Sequence, residues 1–477
     1  MGSIWTQHCE IKERPPLQRD LNTEVAVIGA GMAGVLTAHA LQNAGKRVVV
    51  LEADRIAGGQ TRNTTAKITS QHGMIYGKLA RTLGEEKARQ YAMANEAAVE
   101  AYRRLVAAVG IDCDFEERDA WVCGNDREQL EAEAEAAARL GLPVSFRGEL
   151  SLPIPVSCGV RFRHQAQFHP LKFLRALSEE LTVYEHTPVR TVEGTAVMTD
   201  RGTVQAEQVV FACHFPFLNV PGMYFARMHQ ERSYVLALEH APKVEGMFIS
   251  AEKNGVSLRT YQQFLLLGGE GHRTGEGQDG GHYEALRQSA RLWFPGSREV
   301  AHWSAQDCVT PDSVPYIGRF AAGKPEWYVA TGFQKWGMTG SMVSAMVLRE
   351  LLCGQDHPCA GVFDPGRFGV QMAVGIAGET GQAVKGLAKR FFQVPGETAE
   401  ELPIGHGGIV FYQGKKLGVY RDGQGQLHAV DLRCPHLGCQ LEWNPDERSW
   451  DCPCHGSRFD YKGRLLSGPA QTDLSRE

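Results

Sequence analysis

The strongest run of hydrophobic positions lies near the start of the chain. Val25–Ile28 is apolar at every residue and leads into Gly29-x-Gly31-x-x-Gly34. Apolar residues then recur at helical spacing to Ala44, Gly45 follows, and a second apolar run, Val48–Leu51, ends on Glu52. Uninterrupted apolar runs suit strands covered on both faces, so the stretch reads strand–turn–helix–strand. Glu85–Val109 and Asp126–Leu140 show helical spacing on an alanine- and glutamate-rich background and predict surface helices of a separate cap. Phe168-His169-Pro170 turns into a helix over Leu171–Leu181. Val183–Tyr184, Val189–Val192 and Val204–Ala212 read as strands. Between 222 and 305, short β-like runs (Tyr234–Leu238, Val256–Tyr261, Phe264–Leu267) alternate with loops and predict an antiparallel sheet. Trp327–Ala330 is a strand, Thr331–Gly340 a glycine-rich turn and Ser341–Leu352 a helix. Gln371–Arg390 is a weakly amphipathic connector. From Gly405 the chain changes to short strands, Gly408–Tyr412, Lys416–Arg421 and Leu427–Val430.

The first of these patterns carries chemistry. Gly29 makes a tight turn, Gly31 lets a pyrophosphate approach the backbone, and Gly34 lets helix and strand pack closely. The helix N-terminus faces the phosphates, and Glu52 can accept from a ribose. The signal is specific because strand, helix and acid all stand in place around the glycines. Gly58, Gly59, Gln60 and Thr61 offer small donors beside that turn, either as a second cofactor loop or as a solvated loop. A second glycine pattern, Gly275-x-Gly277-x-x-Gly280, contains Glu276 and Asp279, which would repel phosphate. No second nucleotide site is expected, nor direct use of NAD(P)H.

Composition is that of a globular protein of two or three domains: 477 residues, 43% hydrophobic and 22% charged. A net charge of −5 gives no reason to expect nucleic acid or an anionic membrane. No apolar run is long enough to span a bilayer or to form a signal-peptide core, so a cytoplasmic location is the expectation.

Four of the twelve cysteines crowd into the last stretch. Cys434-Pro-His436-Leu-Gly-Cys439 is followed by Cys452-Pro-Cys454-His455-Gly456-Ser457. Two thiolates and two imidazoles from two loops match the Rieske [2Fe–2S] pattern, in which two histidines replace two cysteines on one iron. The same four side chains could hold zinc tetrahedrally. Zinc leaves Cys439, Cys454 and Gly456-Ser457 unexplained.

Residues 20–360 resemble the D-amino-acid oxidase / glycine oxidase superfamily of FAD-dependent oxidoreductases. The resemblance rests on the Gly29–Gly34 turn with Glu52, on Pro311-Asp-Ser-Val-Pro-Tyr-Ile-Gly318 and on the Gly332–Thr339 turn. It implies an α/β flavoprotein with a discontinuous Rossmann-like FAD domain (21–75, 155–215 and 306–360) after an N-terminal extension (1–20). An α+β cap with an antiparallel sheet (76–154 and 216–305) would form the substrate domain. A connector (361–400) then leads to a small all-β Rieske domain (401–477). By the resemblance, Gly29, Ala30, Gly31, Met32, Ala33, Gly34, Glu52, Ala53, Gly58, Gly59, Gln60, Thr61 and, through its backbone, Val189 would contact FAD. Gly332, Trp336, Gly337, Met338 and Thr339 would approach the isoalloxazine. Family members hold a substrate carboxylate with an arginine and a tyrosine. Arg259 and Tyr261, two apart on one strand, are the nearest candidates here, and either could equally be an ordinary sheet residue. His72, His164, His169 and His214 read as structural.

The last stretch resembles Rieske proteins of the cytochrome bc type. That resemblance implies that Cys434 and Cys452 bind one iron and His436 and His455 the other. It also implies a Cys439–Cys454 disulfide and a hydrogen bond from Ser457 to a bridging sulfide. Phe459 stands where high-potential members have a tyrosine, so a lower midpoint potential is expected. The expected function is oxidation of a C–N bond in a small amine or amino acid, with electrons passing between FAD and the cluster to an external acceptor or from a donor. Two other readings remain open: an O2-using oxidase with a structural Rieske unit, and a redox-sensing or electron-transfer protein without a dedicated small substrate.

Overall fold

The computed structural model describes residues 2–367, 401–412 and 414–476, together with the single positions 373, 378, 381, 398 and 399. Most of the Gln371–Arg390 connector lies outside the described residues.

The apolar runs Val25–Ile28 and Val48–Leu51 are buried at every residue, as continuous hydrophobicity demands. They lie in a six-stranded sheet with the order Tyr316–Ala321, Lys324–Thr331, Gln208–Phe211, Val25–Ile28, Val48–Leu51, Val183–Tyr184. All its pairings are parallel except that of Tyr316–Ala321. The helices Met32–Asn43 and Gly337–Leu352 pack on each other beside it. The stretch read as one strand, Val204–Ala212, is two. Thr203–Gln205 joins a four-stranded sheet with Leu21–Asn22, Ala196–Thr199 and Val189–Glu193, and Gln208–Phe211 joins the parallel sheet.

A nine-stranded sheet forms the second layer. Its core runs Arg298–Val309, His229–Glu239, Phe264–Arg273, Ser257–Tyr261, Met247–Ser250, Glu116–Gly124, Cys158–Gln167, Lys67–Ile68, and Val144–Arg147 also pairs with Cys158–Gln167. It is mainly antiparallel, with one parallel pairing between Met247–Ser250 and Glu116–Gly124. Residues 158–167, 67–68 and 306–309, grouped by sequence with the FAD segments, are strands of this sheet instead. The sheet hydrogen bonds of Cys158–Gln167 are taken up by Glu116–Gly124, which fixes that strand in the cap.

Glu85–Val109 is a helix over the predicted span, yet only partly a surface one. Tyr91, Asn95 and Tyr102 are buried, and the Tyr102 hydroxyl donates to the Met338 carbonyl at 2.9 Å. Asp126 caps Arg127–Arg139 by accepting from the Gln129 N–H, and His169 caps Pro170–Ser178. The last domain has two small sheets. Gly407–Tyr412, Lys415–Arg421 and Leu427–Val430 form one, and Glu442–Asn444, Ser449–Asp451, Arg458–Asp460 and Leu465–Ser467 the other.

This domain docks on one face of the nine-stranded sheet. Side chains alternate across a strand. Along His229–Glu239 and Arg298–Val309, Gln230, Arg232, Tyr234, Ser304 and Gln306 point one way and are buried. Arg232 pairs with Glu447 at 3.2 Å, and Asn444 donates to the Tyr234 hydroxyl. The opposite face turns to the FAD segments, where Trp303 donates to the Asn63 carbonyl at 2.9 Å. The sheet therefore stands between the two halves of the molecule.

Candidate functional site

The first glycine turn is built from local necessity. Gly29 has φ +105°, and a Cβ there would lie 2.6 Å from the Ala212 carbonyl oxygen. A Cβ on Gly34 would lie 1.8 Å from the Gly29 carbonyl oxygen, so helix and turn close only around glycine. Gly31, Gly59 and Gly337 differ. A Cβ on Gly31 meets only Thr61 Oγ1, at 3.4 Å, and one on Gly59 or Gly337 meets nothing within 4 Å. These three border open space, as a cradle for an extended ligand must.

The other expected FAD residues gather around this cradle. Met32 N–H donates to Thr61 Oγ1 at 3.0 Å, which ties the helix start to the Gly58–Thr61 loop. Glu52 accepts from Ala30 and Asp54 N–H at 2.7 and 2.9 Å, and burial raises its pKa. The Thr187 N–H donates to the Glu52 carbonyl, which brings Val189 close behind the acid. Ala33 is buried within the Met32–Asn43 helix, and Ala53 is exposed. At the other end Trp336 stacks on His72, with centroids 4.6 Å apart, and Thr339 shares the Thr69 carbonyl with His72. Gly332 (φ +73°) is a packed turn position, where a Cβ would meet Thr310 at 2.5 Å.

Burial pushes Lys67 down to about 7, His214 down to about 4 and Asp307 up to about 7. None of the three is fully covered, and neither is Glu52. With open space at Gly31, Gly59 and Gly337 and the Glu52 carboxyl behind the turn, the residues present fit an FAD.

Arg259 and Tyr261 share a face, as alternation requires, but Trp5 of a short N-terminal helix, Ile4–His8, packs on it. The Trp5 ring lies 5.5 Å from the Arg259 guanidinium carbon and 4.8 Å from the Tyr261 ring. Arg259 is fully buried and donates to the Thr65 and Ala66 carbonyls at 2.7 and 2.6 Å. The Tyr261 hydroxyl donates to Asp114 at 2.7 Å. Both carbonyls are met by one terminal nitrogen of Arg259, and its Nε and Nη2 have no hydrogen-bond partner among the described residues.

In the last domain, two loops of one design face each other. Gly438 N–H returns to the Cys434 carbonyl, and Gly456 N–H to the Cys452 carbonyl, both at 2.9 Å. The Cys434 and Cys452 thiols hydrogen-bond each other, which draws Cys434 below the ordinary thiol value and pushes Cys452 above it. The Ser457 hydroxyl also bonds Cys434. His436 and His455 approach through Nδ1 at 3.2 Å. Cys439 and Cys454 form a disulfide, with Cα atoms 6.6 Å apart. Two thiols and two imidazoles converging from paired loops suit a Rieske cluster.

Three residues not foreseen from sequence hold this centre against the flavoprotein. Asn219 Oδ1 accepts from His436 Nε2 at 2.7 Å. A proton on Nε2 leaves Nδ1 bare, the form a metal ligand needs. Gln230 donates to the His455 carbonyl at 2.6 Å, and Gln306 donates to the Gly456 carbonyl at 2.7 Å. The Gln306 backbone N–H in turn donates to Gln60 Oε1 at 2.8 Å. The discounted glycine pattern also finds its reason here. A Cβ on Gly275 would lie 2.5 Å from Pro453 N, and one on Gly280 would lie 2.5 Å from Pro445 Cγ. These glycines admit the last domain.

A family model described as FAD dependent oxidoreductase matches residues 24–351, and one described as Rieske [2Fe-2S] domain matches residues 394–476. The chain is 37% identical over 498 residues to YhfW of Bacillus subtilis (strain 168), named as a Rieske 2Fe-2S iron-sulfur protein. That similarity covers 99% of this chain and 97% of the relative. Among solved structures, glycine oxidase from Geobacillus kaustophilus is similar with a TM-score of 0.61 at 18% identity, over 73% of this chain and 99% of that one. L-amino acid deaminase from Proteus myxofaciens gives 0.62 at 16% identity, over 77% and 98%. At such identities the likeness speaks of fold alone. No helix among the described residues is long and apolar enough to cross a membrane.

Proposed function

The chain belongs to the FAD dependent oxidoreductase family, binds FAD and carries a [2Fe–2S] cluster in a C-terminal Rieske domain, and from that premise we propose that it oxidises a C–N bond of a small amine or amino acid and exchanges the electrons with an external carrier through the cluster. When bound, FAD accepts a hydride's two electrons and the cluster carries one at a time. The solved relatives of this fold are titled glycine oxidase, L-amino acid deaminase and L-proline dehydrogenase, which supports a small amino compound as substrate.

One observation carries the electron-exchange reading. Gln60, in the loop proposed to touch FAD, joins Gln306, which joins Gly456 beside the proposed ligand His455. The sheet between the two centres is therefore crossed at a single residue. Its backbone serves the FAD side and its side chain the cluster side. On the flavin side, Trp336 stacks on His72, and Lys67 donates to the Ser257 hydroxyl. On the cluster side, Asn219 fixes the ring of His436, and Gln230 fixes the backbone of His455.

The test is anaerobic addition of amino acids and amines to the holoprotein, followed by absorbance and low-temperature EPR. Flavin bleaching together with the signal of a reduced Rieske centre is the expected result. Bleaching with a silent cluster, and peroxide formation that survives Cys434→Ser, would replace it with an oxidase whose last domain is structural. No bleaching with any amine would replace it with an electron-transfer protein lacking a small substrate.

A further inference from the structure

The two proposed histidine ligands meet the flavoprotein half through one loop, and they meet it differently. At the start of the loop Asn219 accepts from His436 Nε2 at 2.7 Å. At its end the Phe225 ring stands edge-on to His455, with centroids 5.8 Å apart. His455 is buried, with Phe215 and Phe225 against its ring and Gln230 on its carbonyl. His436 is only half-buried. One ligand thus faces the flavoprotein and the other reaches towards the surface. The side chains beside His436 there are apolar. Val220, next to Asn219, is 77% exposed, and Leu437, next to His436, is 40% exposed. Pro435 and, further along the loop, Met223 are exposed too.

The segments around the centre also lack charge. Residues 213–226, 434–441 and 452–457 contain no Asp, Glu, Lys or Arg, in a chain where these make up 22%. Arg227, the first charge beyond the loop, lies over the Tyr224 and Tyr316 rings and donates to the Gly222 and Pro365 carbonyls. Asp431 and Arg433, just before Cys434, are of opposite sign.

Apolar side chains exposed singly need no explanation, but these flank the more open ligand of a redox centre. We infer that the face of Val220, Leu437 and Pro435 is where the external electron carrier docks, and that the carrier is a protein with an uncharged, apolar surface over its own redox centre. This rests on the proposed exchange with an external carrier through the cluster. A quinone fits less well, because it exchanges protons along with electrons and needs a ring nitrogen free to bond it. Asn219 already holds the His436 Nε2 proton, and His455 is covered. A charged carrier face would lose its water against Val220 and Leu437 and find nothing to pair with. An apolar carrier needs only to approach. It takes one electron at each encounter and is reduced as the cluster is oxidised. No bond forms or breaks, and no proton moves. Two encounters clear the electron pair of one substrate molecule.

The experiment reduces the full-length holoprotein with dithionite and mixes it with oxidised azurin, a blue-copper carrier whose copper lies beneath an apolar face. Loss of the copper absorbance gives the second-order rate. That rate should change less than about twofold between about 20 and about 500 mM salt, since no charges steer the encounter. Val220→Glu and Val220→Lys should each slow it about tenfold or more, because either charge loses its water as the faces meet. Leu437→Glu should do the same. Met93→Glu, at a site 48% exposed on the helix Glu85–Val109, should leave the rate unchanged. Zinc-substituted azurin, which accepts no electron, should show NMR line broadening with wild-type protein and lose it with both Val220 variants. EPR g-values and midpoint potential report whether the cluster is intact in each variant. Wild-type rates in the Val220 and Leu437 variants would overturn the docking face. A rate that falls steeply with salt, or that one sign of charge at Val220 raises, would overturn the uncharged carrier. Ubiquinone-1 reacting faster than azurin, with the same loss in the variants, would overturn the protein carrier in favour of a quinone. Wild-type protein that passes electrons to neither probe would overturn both the docking face and the exchange through the cluster. The amine reading would still stand, because dithionite bypasses the substrate.

Discussion

Single side chains tune the cluster. Phe459 is fully buried in the same core as Cys434, Cys439, Cys452 and Cys454, and it can give no hydrogen bond. A hydroxyl donating to a cysteine sulfur would favour the more negative, reduced state. Phe459→Tyr should therefore raise the midpoint potential. About 1 kcal/mol of preferential stabilisation corresponds to roughly 40 mV for one electron. Asn219 acts in the other direction. By accepting the His436 Nε2 proton it makes that ring a better electron donor and favours the oxidised state. Asn219→Leu should raise the potential and alter the EPR g-values, whereas Asn219→Asp, which adds negative charge, should lower it. A redox titration followed by EPR checks all three changes.

At the scale of elements, the glycine turn and the two cysteine–histidine loops were legible because each is a local device. Apart from Ala212, whose carbonyl crowds Gly29, the groups that give them their pattern lie within a few tens of residues. Gly34 shows how strict the local rule is. Gly34→Ala would force a Cβ into the Gly29 carbonyl at 1.8 Å. We expect purified protein of this variant to lose most of its FAD, read as the flavin-to-protein absorbance ratio, while the cluster remains. The contacts that join the devices were not legible. Asn219 and His436 lie 217 residues apart, and an asparagine in a loop carries no sign of its partner. Gly275–Gly280 misled for a similar reason. The spacing suggested phosphate and its acids argued against it, but its use is steric, to let two prolines approach. Arg259 and Tyr261 were placed on one face correctly by alternation, yet no local pattern reveals that Trp5 returns to cover them.

Across the whole molecule, the ion pair that locks the two halves should set the acid limit of the assembly. Burial alone would raise the Glu447 pKa, but Arg232 and Arg458 hold it at about 2. In an unfolded chain the same carboxyl titrates near 4.3. A carboxyl depressed on folding contributes stability in full above its unfolded value and loses it as pH falls through the folded one. The folded assembly should therefore keep this stabilisation above about pH 4.5 and lose it progressively towards pH 2, with roughly 3 kcal/mol at stake against the unfolded chain. The share due to Arg232 belongs to the docking, since Arg458 lies in the last domain itself. Hydrogen exchange at residues 453–456 measured down that range should show protection lost before the parallel sheet opens. Protection unchanged to pH 2 would mean that the pair contributes little.

The closeness of that docking has a kinetic meaning. Gly275 has no room for even a methyl group beside Pro453, and Gln306 is bonded on both sides of the sheet at once. A carrier domain that swings between partners makes each electron wait for a journey. Here nothing has to travel, so exchange between the two centres would be set by distance and driving force and would be indifferent to the viscosity of the solvent.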